Sequence, residues 1–344
     1  MILYLGNNLT LHGNTPSSIE TLGKFLGSRY LIKRFSNKRN QLLRGLDMMC
    51  AIVRHNRTTS VVLIDAYSSL AFYYVLGASI LCHVLRIPYV PILRGGDLRS
   101  RLNKRKSLSK FVFGGAKYLV APSNYLYSVF LEFGFANVLY IPNSIEIDIY
   151  KMKQRTLLAP RILWVRSFHS VYNPLMALNV FQKLRLHFPE AELCMVGPDK
   201  DGSLEECKEY VLRNGLKEKV KFTGVLSKPE WHSLSELYDI FINTTTIDNT
   251  PVSVMEAMAL GLCVVSTNVG GVPYLISDNK NGLLVDNGDV DMMVAKIGWL
   301  IDHPTEAGQL ALGARKQVEE FDWKLVKYKW FKILDEMETP LVKE

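Results

Sequence analysis

Cysteine is sparse in this chain of 344 residues: there are five, at positions 50, 82, 194, 207 and 263, scattered, odd in number and without CxxC spacing. That excludes a disulfide framework and a thiol-based zinc site, and it suits a reducing cytoplasm. The opening Met1-Ile-Leu-Tyr-Leu5 lacks the basic region and long apolar run of a signal peptide and reads as a buried first strand. The longest apolar run, Ser68 to Leu85, is broken only by Gly77 and His83 and borders on transmembrane length, but its Tyr, Ser and Ala content fits a buried helix. No GxGxxG follows the first strand, which argues against a nicotinamide oxidoreductase. Aromatic residues are too thin among the basic stretches for base stacking, so nucleic acid is not an expected partner. The DxD triplet Asp289-Val-Asp291 precedes a helix and reads as a cap with a first-turn acid; no metal site and no cofactor are expected.

What is present is enough apolar residue, 48%, for a well-packed globular protein, in a chain longer than one core usually supports. The charge is uneven. Residues 1–155 hold 21 Lys and Arg against 7 Asp and Glu, a balance of +14, whereas the remainder holds 20 against 26, a balance of −6. Two domains are therefore expected, with a basic first half suited to an anionic partner. Lys33, Arg34, Lys38, Arg39 and Arg44, interleaved with Phe35 and Leu42-Leu43, read as a membrane or acceptor face, joined by Arg99 and Arg101.

Strands and helices alternate throughout. Residues 2–6, Tyr30–Phe35, Val61–Asp65, Tyr89–Leu93, Tyr118–Ser123 and Val138–Asn143 read as strands of the first half, with helices between them. Ser17-Ser-Ile-Glu20 resembles a capping box opening the first helix. Residues 144–160 read as a linker. The alternation then restarts at Arg161-Ile-Leu-Trp-Val-Arg166. The fold class is α/β: two Rossmann-like, doubly wound domains facing across a cleft, 1–155 and 156–320, with a C-terminal helix in 321–344 that packs back on the first domain. Loops after strand carboxyl ends hold ligands in this architecture. Two such loops carry useful chemistry: Gly13-Asn14, which permits close backbone approach, and Arg94-Gly-Gly-Asp97, with a fixed positive charge aimed into the crevice.

The most informative stretch is Asp248-Asn-Thr-Pro-Val-Ser-Val-Met-Glu256, two carboxylates eight positions apart. Thr250-Pro251 is a helix-start signal, with Thr as cap and Pro at the first helical position. The helix runs to about Leu260 and stops at Gly261. Its start, with bare N–H groups at Val252 and Ser253, suits a phosphate.

This stretch, with Ala257-Met-Ala-Leu-Gly261 and Thr267-Asn-Val-Gly-Gly-Val-Pro273, resembles the E-x7-E region of glycosyltransferase family 4 (GT4), retaining enzymes of the GT-B fold. Ile141-Pro-Asn143, Trp164-Val-Arg166 and Phe222-Thr-Gly224 support the likeness. The resemblance implies a metal-independent hexosyltransferase using a UDP- or GDP-sugar and a lipid-linked or surface-glycan acceptor, cytoplasmic and peripheral at the inner face of an anionic membrane. It further implies that Glu256 binds the ribose hydroxyls and that Asp248 contacts the transferred sugar. Thr250, Pro251, Val252 and Ser253 would seat the distal phosphate, Arg166 would neutralise the diphosphate, and Gly13 and Asn14 would approach it. Arg94 and Asp97 would lie near the reacting sugar. The chain departs from the pattern in three places. Asp248 replaces the first Glu, Ser170-Val-Tyr172 stands where a lysine is expected, and Arg94 stands where many relatives have His. Arg94 is expected to supply the missing lysine's charge. A nucleotide-sugar-binding protein that has lost catalysis, or a nucleotide-sugar epimerase on the same fold, are the alternatives.

Overall fold

The computed structural model describes residues 1–9 and 17–338. The chain forms two compact units, one of residues 1–144 together with the C-terminal segment from Trp323, the other Ile145–Asp322. In the first unit, β1 (Ile2–Leu5), α1 (Ser18–Leu26), β2 (Ile32–Phe35), α2 (Gln41–His55), β3 (Val61–Ala66), α3 (Phe72–Leu85) and β4 (Tyr89–Leu93) lead to α4 (Leu98–Lys104), α5 (Lys106–Gly114), β5 (Leu119–Ala121), α6 (Asn124–Glu132) and β6 (Val138–Tyr140). Its six strands are parallel, in the order β2-β1-β3-β4-β5-β6. In the second unit, β7 (Arg161–Val165), α7 (Pro174–Leu184), β8 (Glu192–Val196), α8 (Ser203–Arg213), β9 (Val220–Gly224), α9 (Lys228–Ser235) and β10 (Ile240–Asn243) precede α10 (Val252–Ala259), β11 (Cys263–Thr267), β12 (Leu283–Val285), α11 (Val290–Asp302) and α12 (Pro304–Glu319). This sheet is also parallel, in the order β12-β11-β10-β7-β8-β9.

Parallel sheets are covered on both faces, so their strands need not alternate apolar with polar. β1 shows why: Leu3 and Leu5 pack under α2 and α3, while Ile2 and Tyr4 point to the opposite core. That second core is completed by the last helix, α13 (Trp323–Asp335), through Val326, Trp330, Ile333 and Leu334. Trp323 stacks on Phe25 at 4.8 Å, and Asp335 accepts from Tyr30 Oη (2.6 Å) and Arg29 (2.8 Å).

Local signals account for the helix ends. Ser17 and Glu20 form the expected capping box, with Ser17 N donating to Glu20 Oε2 at 2.7 Å. Asn40 Oδ1 caps α2 by accepting from Leu42 N (2.9 Å) and Leu43 N (3.2 Å). Asp289 caps α11, accepting from Met292 N at 2.9 Å, while Asp291 pairs with Lys183.

Two expectations are corrected. The run 68–85 is not a buried helix: α3 begins at Phe72, and Tyr73, Ile80 and Val84 on it are exposed. A helix apolar on every side carries no periodicity from which to read its buried face. The stretch 144–160 is not a free linker either. Ile145, Ile147, Tyr150 and Leu158 are buried in the second unit, and Arg155 donates to the carbonyls of Ser235, Tyr238, Leu260 and Gly261. Among the described residues, no helix is long and apolar enough to cross a membrane.

Candidate functional site

In the second sheet the strand order reverses between β7 and β10, and ligands of such sheets bind beyond the strand ends at that point. The two loops there are tied together. Thr246 N donates to Val171 O at 2.8 Å, and the Thr244 hydroxyl donates to Tyr172 O (2.8 Å). The first loop carries Arg166 and Tyr172, the second Asp248.

The structure pairs two residues expected to act separately. Arg166 Nη2 bonds Asp248 Oδ2, and the guanidinium lies over the Tyr172 ring at 4.7 Å. Asp248 Oδ1 accepts from Asn249 N at 2.7 Å. Arg166 Nε is buried with no hydrogen-bond partner among the described residues. Glycines permit both placements. A Cβ on Gly197, whose φ is +147°, would lie 1.8 Å from Arg166 O. One on Gly271 would lie 1.7 Å from Asn249 O, and Gly271 N donates to Asp248 O at 2.9 Å. These are approaches only a residue without a side chain allows.

The helix start is one residue later than the sequence suggests. Pro251, not Thr250, is the N-cap of α10, and it makes no side-chain cap bond. A proline N-cap has no hydroxyl to offer, so the first-turn N–H groups at Val252 and Ser253 receive no capping oxygen from it. Ser253 Oγ is likewise buried without a partner among the described residues.

Glu256 projects from the next turn and is 5% exposed. Its Oε1 accepts from Tyr150 Oη at 2.8 Å and pairs with Lys228 Nζ at 2.7 Å. Burial, then the Glu256 charge, raise the Tyr150 phenol far above its ordinary value and keep it a donor. His232 packs on the Tyr150 ring at 4.6 Å, and burial holds its imidazole below the usual value despite the nearby carboxylate. A carboxylate accepts about four hydrogen bonds, so Glu256 retains capacity for hydroxyl donors. Tyr150 and Lys228 were not expected. Tyr150 lies in the presumed linker, and Lys228 sits inside a capping box, Ser227-Lys-Pro-Glu230, that accounts locally for its neighbours only.

Where a lysine was expected, Ser170–Tyr172 form a 3-10 turn. Ser170 N donates to Asp201 Oδ2 at 2.8 Å, and hydrogen bonds, first from the Ser203 hydroxyl, hold Asp201 below the usual carboxylate range.

The first unit gives Arg94 a different place from the one expected. Its side chain is 9% exposed; Nε pairs with buried Asp65 (3.1 Å) and Nη1 donates to Asn143 Oδ1 (2.5 Å), with Tyr4 Oη at 3.4 Å from Nη2. Its charge is therefore matched inside the unit rather than left to replace a lysine. Arg94→Ala is expected to destabilise the protein by about 3–5 kcal/mol, because it strands a buried carboxylate. A urea or thermal melt measures this; an unchanged midpoint contradicts it. Asp97 is exposed at the start of α4. Gly13 and Asn14 lie outside the described residues.

The basic face is also revised. Arg44 is buried on the sheet side of α2 with Met48 and Ile52, donating to Asn7 Oδ1 (2.7 Å), Lys38 O (2.9 Å) and Arg39 O (2.9 Å). Arg99 pairs with Glu132 at 2.8 Å, and Arg101 donates to Ser68 O and lies over Phe72 at 4.2 Å. Lys33, Arg34, Lys38 and Arg39 are exposed.

Known structures share this fold over nearly the whole chain. The Anabaena protein HepE, solved in complex with UDP, superposes with a TM-score of 0.79 at 16% identity, covering 98% of this chain and 100% of that one. A sucrose-phosphate synthase from Thermosynechococcus elongatus gives 0.80 at 12% identity, covering 98% of each chain. The fold is GT-B, built of two Rossmann-like domains.

Residues 151–317, all within the second unit, match the family model described as Glycosyl transferases group 1. The chain is similar to the sulfoquinovosyl transferase SQD2 of Arabidopsis thaliana, 30% identical over 154 residues, which are 43% of this chain and 28% of that protein. It is also similar to a GDP-mannose-dependent phosphatidylinositol monomannoside mannosyltransferase of Mycolicibacterium smegmatis, 26% identical over 162 residues, 45% of this chain and 40% of that protein. The matches thus span less than half the length of these curated relatives.

Proposed function

We propose that the protein is a retaining glycosyltransferase that moves a hexose from a UDP- or GDP-sugar to a lipid-linked or surface-glycan acceptor at the inner face of a membrane, without a metal ion. The observation that carries this reading is the uncapped start of α10. There, unbonded Ser253 Oγ and the nearby loop's unbonded Arg166 Nε are donors suited to a phosphate, and Glu256 follows one turn later. Negative charge grows on the leaving diphosphate as the sugar departs. Prearranged N–H donors and a guanidinium stabilise that charge most in the transition state. Glu256, held by Tyr150 and Lys228, takes the ribose hydroxyls, and Asp248, oriented by Arg166, takes a hydroxyl of the sugar.

A thermal-shift panel of UDP, GDP and their sugars tests the reading. One nucleotide series is expected to raise the melting temperature, by the equivalent of about 2.7 kcal/mol at a hundred times its Kd. With that donor, transfer is expected to survive EDTA. No shift with any nucleotide would overturn the assignment.

A further inference from the structure

We infer that Arg315, on α12, is a positioning residue for the donor site: it fixes the segment that carries Tyr150, and through the Tyr150 hydroxyl it sets which oxygen of Glu256 faces the nucleotide. The inference rests on the reading of Glu256 as the acceptor of ribose hydroxyls. Every residue in it belongs to the second unit.

Tyr150 and Lys228 meet Glu256 on one oxygen. Tyr150 Oη donates to Oε1 at 2.8 Å, and Lys228 Nζ lies 2.7 Å from the same atom. With Oε1 taken by two donors, Oε2 is the oxygen left to receive hydroxyls. A carboxylate turns about its last bond through a broad well, so its orientation depends on where these donors stand. Lys228 is a loose guide, because its charge rides on a flexible stem and its side chain is 35% exposed. Tyr150 is the firm one: it is 2% exposed and its ring packs on His232.

Tyr150 lies outside the helices and strands of its unit. It closes the short 3-10 turn Ile147–Ile149 in the stretch before β7. Its carbonyl accepts from Arg315 Nη1 at 2.8 Å, and the same nitrogen donates to Ala259 O at 2.8 Å. Ala259 is the last residue of α10, the helix that bears Glu256. One guanidinium nitrogen thus ties the backbone of the donor tyrosine to the helix of the acceptor carboxylate. The last carbonyls of a helix have no partner within it, and a cation at that end also suits the helix dipole. Arg315 Nε pairs with Glu319, one turn further along α12, at 2.8 Å, which holds the guanidinium in place. Arg155 also donates to carbonyls at this end of α10, those of Leu260 and Gly261. Its other bonds, to Ser235 O, Tyr238 O and Asp239, tie that end to α9 and the start of β10. Arg315 is the guanidinium that reaches Tyr150.

Nucleotides that differ only in the ribose hydroxyls test this. Calorimetric titration of the full chain compares UDP with 2′,3′-dideoxy-UDP and GDP with 2′,3′-dideoxy-GDP, and the pair that wild type binds is carried through. Wild type is expected to bind the ribose form about 100-fold more tightly than the dideoxy form. Arg315→Met keeps the aliphatic stem and removes the guanidinium. It is expected to cut that ratio about tenfold or more, while affinity for the dideoxy form stays within about threefold. Tyr150→Phe should cut the ratio by a similar factor, and the double variant no further than Tyr150→Phe alone, because the two residues act in series. Arg315→Lys, whose ammonium has donors for both carbonyls, should hold the ratio closer to wild type than Arg315→Met does. The inference is overturned if Arg315→Met keeps the wild-type ratio, weakens both nucleotides in parallel, or fails to fold, each of which assigns Arg315 to the fold alone. A wild type that binds the ribose and dideoxy forms equally removes Glu256 from the ribose, and the inference falls with that reading.

Discussion

Glu256→Gln is expected to weaken donor nucleotide binding about 100-fold or more. The substitution keeps the shape and leaves Tyr150 an oxygen to donate to, but it removes the charge that Lys228 pairs with at 2.7 Å. It also puts an amide donor where the proposed function has Glu256 receive hydroxyl donors. Hydrogen bonds to a charged group contribute about 1.5–3 kcal/mol each, and in the proposed reading two ribose hydroxyls donate to Glu256, so that reading predicts a loss of about 3 kcal/mol or more. Calorimetric titration with the nucleotide found by the thermal-shift panel measures it directly. An affinity within a factor of three of wild type would remove Glu256 from the ribose. Glu256→Ala should do at least as much harm to binding and also lower stability, since Lys228 and the buried Tyr150 hydroxyl then lose their acceptor.

Gly271→Ala should cost turnover about 100-fold while leaving the overall fold in place. The new methyl group would fall 1.7 Å from Asn249 O and 2.7 Å from its carbonyl carbon, and both are backbone atoms. No rotamer change relieves such a clash, so the segment from Asp248 to Pro251 must move. That segment positions both Asp248, the carboxylate proposed to contact the sugar, and the start of α10, and a displacement of about 1 Å in such a constellation can reduce rate 100-fold. Overpacking of this kind typically costs about 1–3 kcal/mol, visible as a lower melting temperature. Wild-type kcat in a folded Gly271→Ala protein would separate this turn from the chemistry.

Much of the architecture was readable from strand and helix signals. The β4 strand, Tyr89–Leu93, falls where its apolar run places it, and the Ser17–Glu20 box opens α1 as its spacing suggests. The stretch from Asp248 to Glu256 marked the candidate site because its information is local: a loop acid, a helix start and a second acid on the first turns. The partners were not local. Tyr150 meets Glu256 from 106 positions away, Lys228 reaches it from another helix, and Arg94 closes a network with residues 29 and 49 positions distant. Chain spacing holds no record of such meetings. The same limit explains Arg44, whose basic neighbours suggested solvent. Its position on α2 follows the buried period of Met48 and Ile52, and nearby carbonyls satisfy its guanidinium. Thr250 was misread for a subtler reason. Thr-Pro is a sound helix-start pair, but here the proline itself takes the cap position.

The placement of α13 bears on the order in which the molecule is made. The first unit's sheet is synthesised before the second unit, but part of the cover for Ile2, Tyr4 and Leu63 on one of its faces comes from Trp330, Ile333 and Leu334, made after the whole second unit. The second unit, Ile145–Asp322, is continuous in the chain and can close on the ribosome while the first still waits. The first unit is thus begun before the second and completed after it, and until α13 arrives part of its apolar sheet face stands uncovered.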